Sequence, residues 1–271
     1  MTWIDAIVLG VVQGATEFLP VSSSGHLALV SQLLDISQLP LAFVVVVHFG
    51  TLLGVFAYYW RDFAQMLKSL VVWASEDQAE HEQLTRARRL VGLLLIGTIP
   101  AAVLGYLFED TVEQLFDNIL AVGLALIATG LILLGVNWLT GQKDRSHTTL
   151  VDAVIIGIAQ ALALVPGLSR SGCTIAAGLV RGLQRDWAPR FAFLLSAPVI
   201  LGGTALEAAR LAAQPPEPGM LVAYLVGGVV AAISGYVAIN IVVRAVRAGN
   251  LIYFAGYCVL VGVVTVIAVG F

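Results

Sequence analysis

Long apolar runs separated by short polar segments dominate this chain, and they predict membrane-spanning helices. A span needs about 20 mostly apolar residues. Six stretches are long enough, at residues 41–60, 90–108, 119–139, 191–210, 220–243 and 251–270. Because these runs are continuous rather than alternating, a β-barrel is disfavoured. We therefore expect an all-α polytopic membrane protein with six transmembrane helices.

Two further apolar regions, residues 3–38 and 150–183, are interrupted near their middles by Pro20 and Pro166. A cluster of serine and glycine follows each proline, and each half is too short to cross a bilayer comfortably. Short apolar halves around such a break are typical of re-entrant helical hairpins, which enter and leave the membrane on the same side. We predict one re-entrant hairpin in each region.

The basic residues test this topology, since cytoplasmic loops of membrane proteins are rich in Lys and Arg. With two re-entrant hairpins, 12 of the 14 basic residues fall on one face, Arg210 falls on the other and Arg170 lies in the second hairpin. A full span in place of either hairpin would scramble this distribution. The basic face is therefore predicted to be cytoplasmic, with a charged connector at residues 61–89 and both termini outside.

Composition agrees with a single membrane domain. Only 11% of the residues are charged and 59% are hydrophobic, whereas a soluble domain carries about twice that share of charge. Cys173 and Cys258 lie in apolar stretches without a CxxC spacing, so neither a disulfide nor a cysteine metal site is expected.

The chain contains an internal repeat that includes both hairpins. A shift of 147 residues aligns DAIVLGVVQGATEFLPVSSSG, residues 5–25, with DAVIIGIAQALALVPGLSRSG, residues 152–172, and seven of the 21 positions are identical. Each copy holds one hairpin and three spans, and because three is odd the second copy must be inverted. We predict one domain, residues 1–271, built of two inverted repeats at about 1–140 and 150–271. The hairpin tips then face each other near the middle of the bilayer.

Both predicted tips are polar, although hydrocarbon surrounds them. The first tip (residues 17–26) presents Glu17, Ser22, Ser23, Ser24, Gly25 and His26, and the second tip (residues 166–174) presents Ser169, Arg170, Ser171, Gly172 and Thr174. Each Ser-Gly pair is placed to open a returning half-helix, whose free N–H groups attract anions, and the glycines let the backbone approach a ligand. Arginine adds a fork of donors for phosphate oxygens. The pattern indicates a site for phosphate or another oxyanion.

The repeat is broken at positions that carry chemistry, namely the aligned pairs Glu17/Leu164, Ser23/Arg170 and His26/Cys173. One tip thus has a carboxylate, a hydroxyl and an imidazole, and the other has a cation, as phosphoryl transfer requires. Structural alternatives stay open: an ion pair between Glu17 and Arg170, a structural hydrogen bond at His26, and helix capping by Ser22 and Ser24. Gln13, which is repeated as Gln160, and the mid-span His48 are interpreted first as packing residues.

The segments QGATEFLPVSSSGH, Gln13 to His26, and PGLSRSG, Pro166 to Gly172, resemble the two signature motifs of the undecaprenyl-diphosphate phosphatase family, also called bacitracin resistance protein BacA or UppP. The resemblance covers essentially the whole chain. It implies a bacterial inner-membrane enzyme that hydrolyses undecaprenyl diphosphate to the monophosphate and so recycles the lipid carrier for peptidoglycan and other envelope polysaccharides. It also implies an active site open to the periplasm and a divalent cation, Mg²⁺ or Ca²⁺.

Carried over to this chain, the resemblance makes Glu17, Ser23, His26 and Arg170 the catalytic candidates, with Ser169 and Thr174 binding phosphate. We expect Ser23 to attack the terminal phosphorus while His26 or Glu17 takes its proton; direct attack by water is the competing mechanism. The first motif of the family has Glu or Gln where this chain has Gln13, which gives polar support but removes a carboxylate. A cation held by Glu17 alone would depend on the diphosphate for its other ligands.

The expected partners are a polyprenyl diphosphate and the membrane lipids, with no nucleic acid, and a homodimer is left open. Inverted repeats with hairpins that meet at mid-bilayer are also a transporter architecture. A transporter or flippase of a phosphorylated lipid or small anion is therefore the alternative. Such a carrier needs the arginine but not an adjacent Glu–Ser–His set.

Overall fold

The computed structural model describes residues 2–36, 39–116, 118–139, 144–213 and 220–270. Lys143 and the side chain of Arg210, which were used to orient the chain, lie outside the described residues, as do Met1 and Phe271. In the described residues the fold is all-α. Its twelve helices are α1 Trp3–Phe18, α2 Ser23–Leu33, α3 Leu41–Tyr58, α4 Trp60–Val71, α5 Gln78–Leu107, α6 Glu109–Phe116, α7 Ile119–Leu139, α8 Leu150–Leu162, α9 Arg170–Val180, α10 Trp187–Ala213, α11 Leu221–Arg247 and α12 Leu251–Gly270.

Six of these helices, α3, α5, α7, α10, α11 and α12, are long and apolar enough to cross a membrane. They coincide with the six spans predicted from the apolar runs, so the all-α, six-span prediction is confirmed at this level. Many large apolar side chains on their outer faces are exposed, as lipid-facing surfaces require.

Most of the connector at 61–89 is helical. It forms α4 and the first part of α5, which begins at Gln78 instead of near residue 90. Asp77 explains the earlier start, because its carboxylate accepts the backbone N–H of Ala79 at 2.8 Å as an N-cap. The charged residues that follow have high helix propensity and continue the span beyond its apolar part.

Both proline-interrupted regions form pairs of short helices, with 16 and 11 residues in α1 and α2 and 13 and 11 in α8 and α9. The first helix of each pair begins with the same capping box. The hydroxyl of Thr2 accepts the N–H of Asp5, and that of Thr149 accepts the N–H of Asp152, both at 3.2 Å. The two capping threonines are again 147 residues apart, so the two sequence copies start in the same way.

The start of α8 and the end of α9 are held together by an ion cluster. The buried carboxylate of Asp152 accepts from Nη1 of Arg145 at 2.6 Å and from Nε of Arg181 at 2.9 Å. Burial alone would raise the pKa of Asp152, but hydrogen bonds from Arg145, Thr149 and Arg181 outweigh it and hold that pKa below the usual range. Because Asp152 lies in the first turn of α8 and Arg181 directly follows the last residue of α9, the chain enters and leaves this pair at one place.

Glycines let the short helices approach their neighbours closely. A Cβ added at Gly10 would lie 2.5 Å from the carbonyl oxygen of Gly227, and one at Gly157 would lie 2.4 Å from that of Gly97. Neither site has room for a side chain, so the helices are in close backbone contact at these two glycines. The largest buried cluster of apolar side chains centres on α10 and holds α5, α8, α9 and α11 around it.

Candidate active site

The two tips are in direct contact, although they are far apart in the sequence. The hydroxyl of Ser171 donates to the carbonyl of Leu19 at 3.0 Å, and the N–H of Gly167 donates to the hydroxyl of Ser24 at 3.4 Å. Each tip therefore provides a polar partner for the other tip's backbone, which would otherwise be unsatisfied inside an apolar bundle.

Glu17 lies at the centre of a hydrogen-bonded cluster that joins the tips. Its Oε1 accepts from Nη2 of Arg170 at 2.5 Å, and its Oε2 accepts from the hydroxyl of Ser23 at 2.6 Å and from Nε2 of Gln13 at 3.0 Å. The side chain of Glu17 is 7% exposed and that of Arg170 is 15% exposed, so both charges are withdrawn from bulk solvent. The structure thus brings together the acid, the alcohol and the guanidinium that the sequence places in separate motifs.

Arg170 and Ser23 occupy equivalent places, each as the first residue of a short helix. Ser169 is the N-cap of α9, and its hydroxyl accepts the N–H of Gly172 at 3.1 Å. Nη1 of Arg170 is buried and has no hydrogen-bond partner in the described residues. A guanidinium with a spare donor beside a helix N-terminus is suited to an anionic ligand.

The cluster lines a cavity of about 330 Å³, which we call the central cavity. Its polar lining consists of Thr16, Glu17, Ser22, Ser23, Ser24, His48, Gln160, Ser169, Arg170 and Thr204. A wider space of about 790 Å³ adjoins it, shares Ser24 and His48 with it, and continues along α2 to Leu39. A mainly apolar cavity that contains Glu17 and Arg170 and adjoins a wider space suits a ligand with a charged head and an apolar chain.

His26 points away from this cluster. Its Nδ1 donates to the carbonyl of Ser22 at 2.8 Å, and its Nε2 lies 2.7 Å from the hydroxyl of Tyr257 on α12, whose ring stacks on the imidazole. With both ring nitrogens engaged, His26 is not placed to take the proton of Ser23. The sequence alternative of a structural hydrogen bond describes its geometry better.

His26 is hydrogen-bonded to a residue with an unusual backbone conformation, Ser22. Ser22 has φ +70°, in the left-handed region that favours glycine. The hydroxyl of Ser22 also accepts the N–H of Gly25 at 3.4 Å as the N-cap of α2, and it lies 3.2 Å from the hydroxyl of Ser24. Strained backbone directly before Ser23 is maintained only by such surrounding contacts.

The predicted phosphate-binding residues divide into two groups. Ser22, Ser24 and Ser169 line the central cavity. The other four do not line it: Ser171 donates to Leu19 of the first tip, Thr174 donates within α9 to the carbonyl of Arg170 at 2.8 Å, and Gly25 and Gly172 pack against neighbouring atoms. A Cβ on Gly172 would lie 3.1 Å from Cβ of Ser169 and 3.4 Å from Cβ of Pro20, so this glycine packs between its own N-cap residue and the first tip.

Three residues at the site carried no decisive sequence signal. Thr129 on α7 fixes the second tip, because its hydroxyl donates to the carbonyl of Gly167 and accepts the N–H of Ser169, both at 3.0 Å. Tyr257 fixes His26. His48, interpreted as a packing residue, lines both cavities, and its Nδ1 donates to the carbonyl of Val44 at 2.9 Å. Of the three, only His48 could have been singled out, as a polar residue inside an apolar span.

The donors around the central cavity do not fit a resident metal site. Glu17 is the one carboxylate in its lining, and both of its oxygens already accept hydrogen bonds from Arg170, Ser23 and Gln13. Across the described residues there is no group of three or more His, Cys, Asp or Glu side chains that could hold an ion. A hard cation prefers six or more oxygen ligands, most of which would have to come from elsewhere.

Comparison with known proteins gives independent information. The family model described as bacitracin resistance protein BacA matches residues 6–264. A relative from Trichlorobacter lovleyi is 40% identical over 275 residues, which cover 100% of this chain and 99% of the relative. Relatives from Moorella thermoacetica and Halothermothrix orenii are 39% and 38% identical, with 98% and 100% of this chain and 97% and 99% of the relatives covered. All three relatives are named undecaprenyl-diphosphatase.

Proposed function

The chain belongs to the bacitracin resistance protein BacA family, and from this premise we propose that it is an undecaprenyl-diphosphatase of the membrane. It hydrolyses undecaprenyl diphosphate to undecaprenyl phosphate and inorganic phosphate. The relatives that share its full length carry this name, and the contact of Glu17 with Ser23 and Arg170 in the central cavity supports the chemistry. A carrier or flippase is not favoured, because transport has no need of a carboxylate bonded to a serine hydroxyl.

Ser23 is the proposed nucleophile and Glu17 the proposed base. As the Ser23 oxygen bonds to the terminal phosphorus, its proton passes to Oε2 of Glu17, which lies 2.6 Å away. The bond between that phosphorus and the bridging oxygen breaks, and undecaprenyl phosphate leaves. Water then attacks the phosphoseryl group, which restores Ser23 and releases inorganic phosphate. In the competing version, Glu17 activates water directly and Ser23 only orients it.

Arg170 supplies positive charge where the transferred phosphoryl group gathers negative charge. Nη2 holds Glu17, and Nη1 is free to bind phosphoryl oxygens from beside the N-terminus of α9. An unpaired charge in the middle of a bilayer costs about 2.5–3.5 kcal/mol on insertion scales. The pairing with Glu17 therefore also stabilises Arg170 before a substrate binds.

We assign His26 a positioning role instead of the base role that the motif suggests. Through the carbonyl of Ser22 it stabilises the left-handed residue before the nucleophile. Tyr257 in turn fixes the imidazole.

A divalent cation, Mg²⁺ or Ca²⁺, is also proposed, although the side chains of the site do not supply enough ligands for it. With one engaged carboxylate in the lining, such an ion would arrive bound to the diphosphate, whose charge it would offset. The steps assigned to Glu17, Ser23 and Arg170 do not pass through it.

The inverted repeat with two re-entrant hairpins is part of the same proposal. The shared capping boxes, the clamp at Asp152 and the contact between the tips support it. The wider space ends near Leu39, whereas Asp62 pairs with Arg190 at the opposite end of α3, among the basic residues. We infer that the active site opens to the periplasmic side of the inner membrane, with both termini outside.

The direct test is an assay of free phosphate with purified protein in detergent and farnesyl or undecaprenyl diphosphate. We expect phosphate release by the unmodified protein, and a loss of at least a hundredfold in Glu17→Gln and in Arg170→Gln. A folded protein that binds the diphosphate but releases no phosphate would leave transport as the function.

A further inference from the structure

Gln160 on α8 is buried without any partner for its amide. The residue is 1% exposed, and neither its Nε2 nor its Oε1 has a hydrogen-bond partner in the described residues. Leaving an amide unpaired away from water is unfavourable, so a buried group of this kind needs an explanation. Gln160 lines the central cavity, where a bound molecule can provide the missing partner.

The sequence repeat shows why Gln160 lacks an internal partner. Its counterpart Gln13 donates from Nε2 to Glu17 at 3.0 Å. The position that aligns with Glu17 in the second copy is Leu164, an aliphatic residue that lines the same cavity. The second copy has therefore kept the amide and lost its acceptor, which leaves the Gln160 amide available.

Thr204 on α10 has the same property. Threonines on other helices satisfy their hydroxyls by donating to the carbonyl four residues earlier, as Thr16, Thr98 and Thr265 do at 2.6–2.8 Å. The hydroxyl of Thr204 is buried and has no partner in the described residues, and Thr204 also lines the central cavity.

These unsatisfied groups are concentrated around one space. Among the described residues, five buried side-chain nitrogen or oxygen atoms have no partner, and four of them belong to Gln160, Arg170 and Thr204. All three residues line the cavity of about 330 Å³ that holds Ser23 and Glu17. Three of these four atoms, Nε2 of Gln160, Nη1 of Arg170 and the hydroxyl of Thr204, can donate a hydrogen bond. Donors gathered on one cavity indicate a ligand rich in acceptor oxygens.

We propose that Gln160 and Thr204 form a second phosphoryl subsite, which holds the prenyl-linked phosphate while the terminal phosphate is attacked at Ser23. The assignment rests on the proposed function, since a diphosphate presents two phosphoryl groups to the cavity. The carboxylate of Glu17 repels phosphoryl oxygens on its own side, so the group that is not attacked belongs with the neutral donors. Because that phosphate remains on the lipid, the subsite binds the monophosphate product as well.

The test compares Gln160→Met and Thr204→Val, which preserve size and remove the hydrogen bonds, with Thr98→Val as the matched control on α5. KM and kcat are measured for farnesyl diphosphate, together with inhibition by farnesyl monophosphate and by inorganic phosphate. We expect each variant to raise KM about threefold to tenfold, as for one neutral hydrogen bond, with kcat less affected. Inhibition by farnesyl monophosphate should weaken by the same factor as KM rises, whereas inhibition by inorganic phosphate should not change. Thr204→Ser, which keeps the hydroxyl, should have the KM of the unmodified protein.

Other outcomes overturn the proposal. If KM is unchanged in both variants, Gln160 and Thr204 hold no phosphate, and the unpaired amide of Gln160 only lowers the stability of the fold. If inhibition by inorganic phosphate weakens instead, the residues hold the terminal group. A wild-type protein that releases no phosphate contradicts the proposed function itself, which separates that failure from a failure of the subsite alone.

Discussion

Arg170 donates from Nη2 to Oε1 of Glu17 at 2.5 Å, across 153 residues of sequence. This pair closes the contact between the two tips and sets the charge of the central cavity. A carboxylate and a guanidinium buried together are neutral as a pair, yet each is still a strong local charge for a ligand that binds beside it. A diphosphate that takes up the free donor of Arg170 therefore enters a site whose base and nucleophile are already in contact.

We expect removal of either partner of this pair to destabilise the fold as well as inactivate the protein. Glu17→Gln leaves Arg170 as an uncompensated buried cation, and Arg170→Gln leaves Glu17 as a buried anion, each at a cost of about 3–5 kcal/mol. Thermal unfolding in detergent should show that the double variant recovers most of the stability lost in either single variant, while phosphate release stays absent. Additive losses of stability would show that the two charges do not interact.

Ser23→Ala separates the two proposed mechanisms. If Ser23 is the nucleophile, its loss should lower kcat at least a thousandfold, because no other group then forms the phosphoseryl intermediate. Ser196→Ala is the matched control, since this buried hydroxyl on α10 donates to the carbonyl of Phe193 at 2.7 Å, outside the lining of the cavity. Near-normal turnover by Ser23→Ala, measured as phosphate release, would establish direct attack by water.

The sequence predicted the parts of this structure that depend on local pattern. Apolar runs of sufficient length located the six candidate spans, and Pro20 and Pro166 located the breaks between short helices. The repeat predicted that the tips meet, as the contact of Ser171 with Leu19 now shows. The sequence could not predict the direction of the side chains. His26, for example, is oriented by its contact with Tyr257, 231 residues away, and a local motif contains no information about that partner.

Gln160 shows a second limit. In the sequence it looks the same as Gln13, and the pattern predicts a packing role for both. Their difference arises from the residue four positions later, which is Glu17 on α1 in one copy and Leu164, beyond the end of α8, in the other. Burial without a partner can be recognised only in three dimensions.

The cluster at Asp152 should matter for stability and not for turnover. In Asp152→Asn the guanidinium groups of Arg145 and Arg181 lose their carboxylate, which we expect to cost on the order of 2 kcal/mol, since both arginines are partly exposed. The pKa of Asp152 is held below its usual value of about 3.9, so its contribution is present above that pH and is lost as the pH falls further. Unfolding temperatures should thus differ by a constant amount between pH 5 and 8, with phosphate release per folded molecule unchanged. A deficit that disappears already at pH 6, or a matching loss of kcat, would contradict a purely structural clamp.

The contact between His26 and Tyr257 tests whether His26 acts through position. Tyr257→Phe removes one hydroxyl that lies 2.7 Å from Nε2 of His26 and leaves the stacked ring in place. We expect kcat to fall about threefold to tenfold with little change in KM, since the Ser22 backbone before the nucleophile is held less firmly. In a His26→Ala background the same substitution should have no further effect, because its only route to Ser23 is then gone. Tyr253→Phe, one turn earlier on α12 and exposed, is the control.

The pH profile of kcat/KM separates a positioning role of His26 from a role as the base for Ser23. If His26 were the base, loss of the tyrosine hydroxyl would free Nε2 and shift the acidic limb of the profile. A positioning role lowers the whole profile and leaves its midpoint in place.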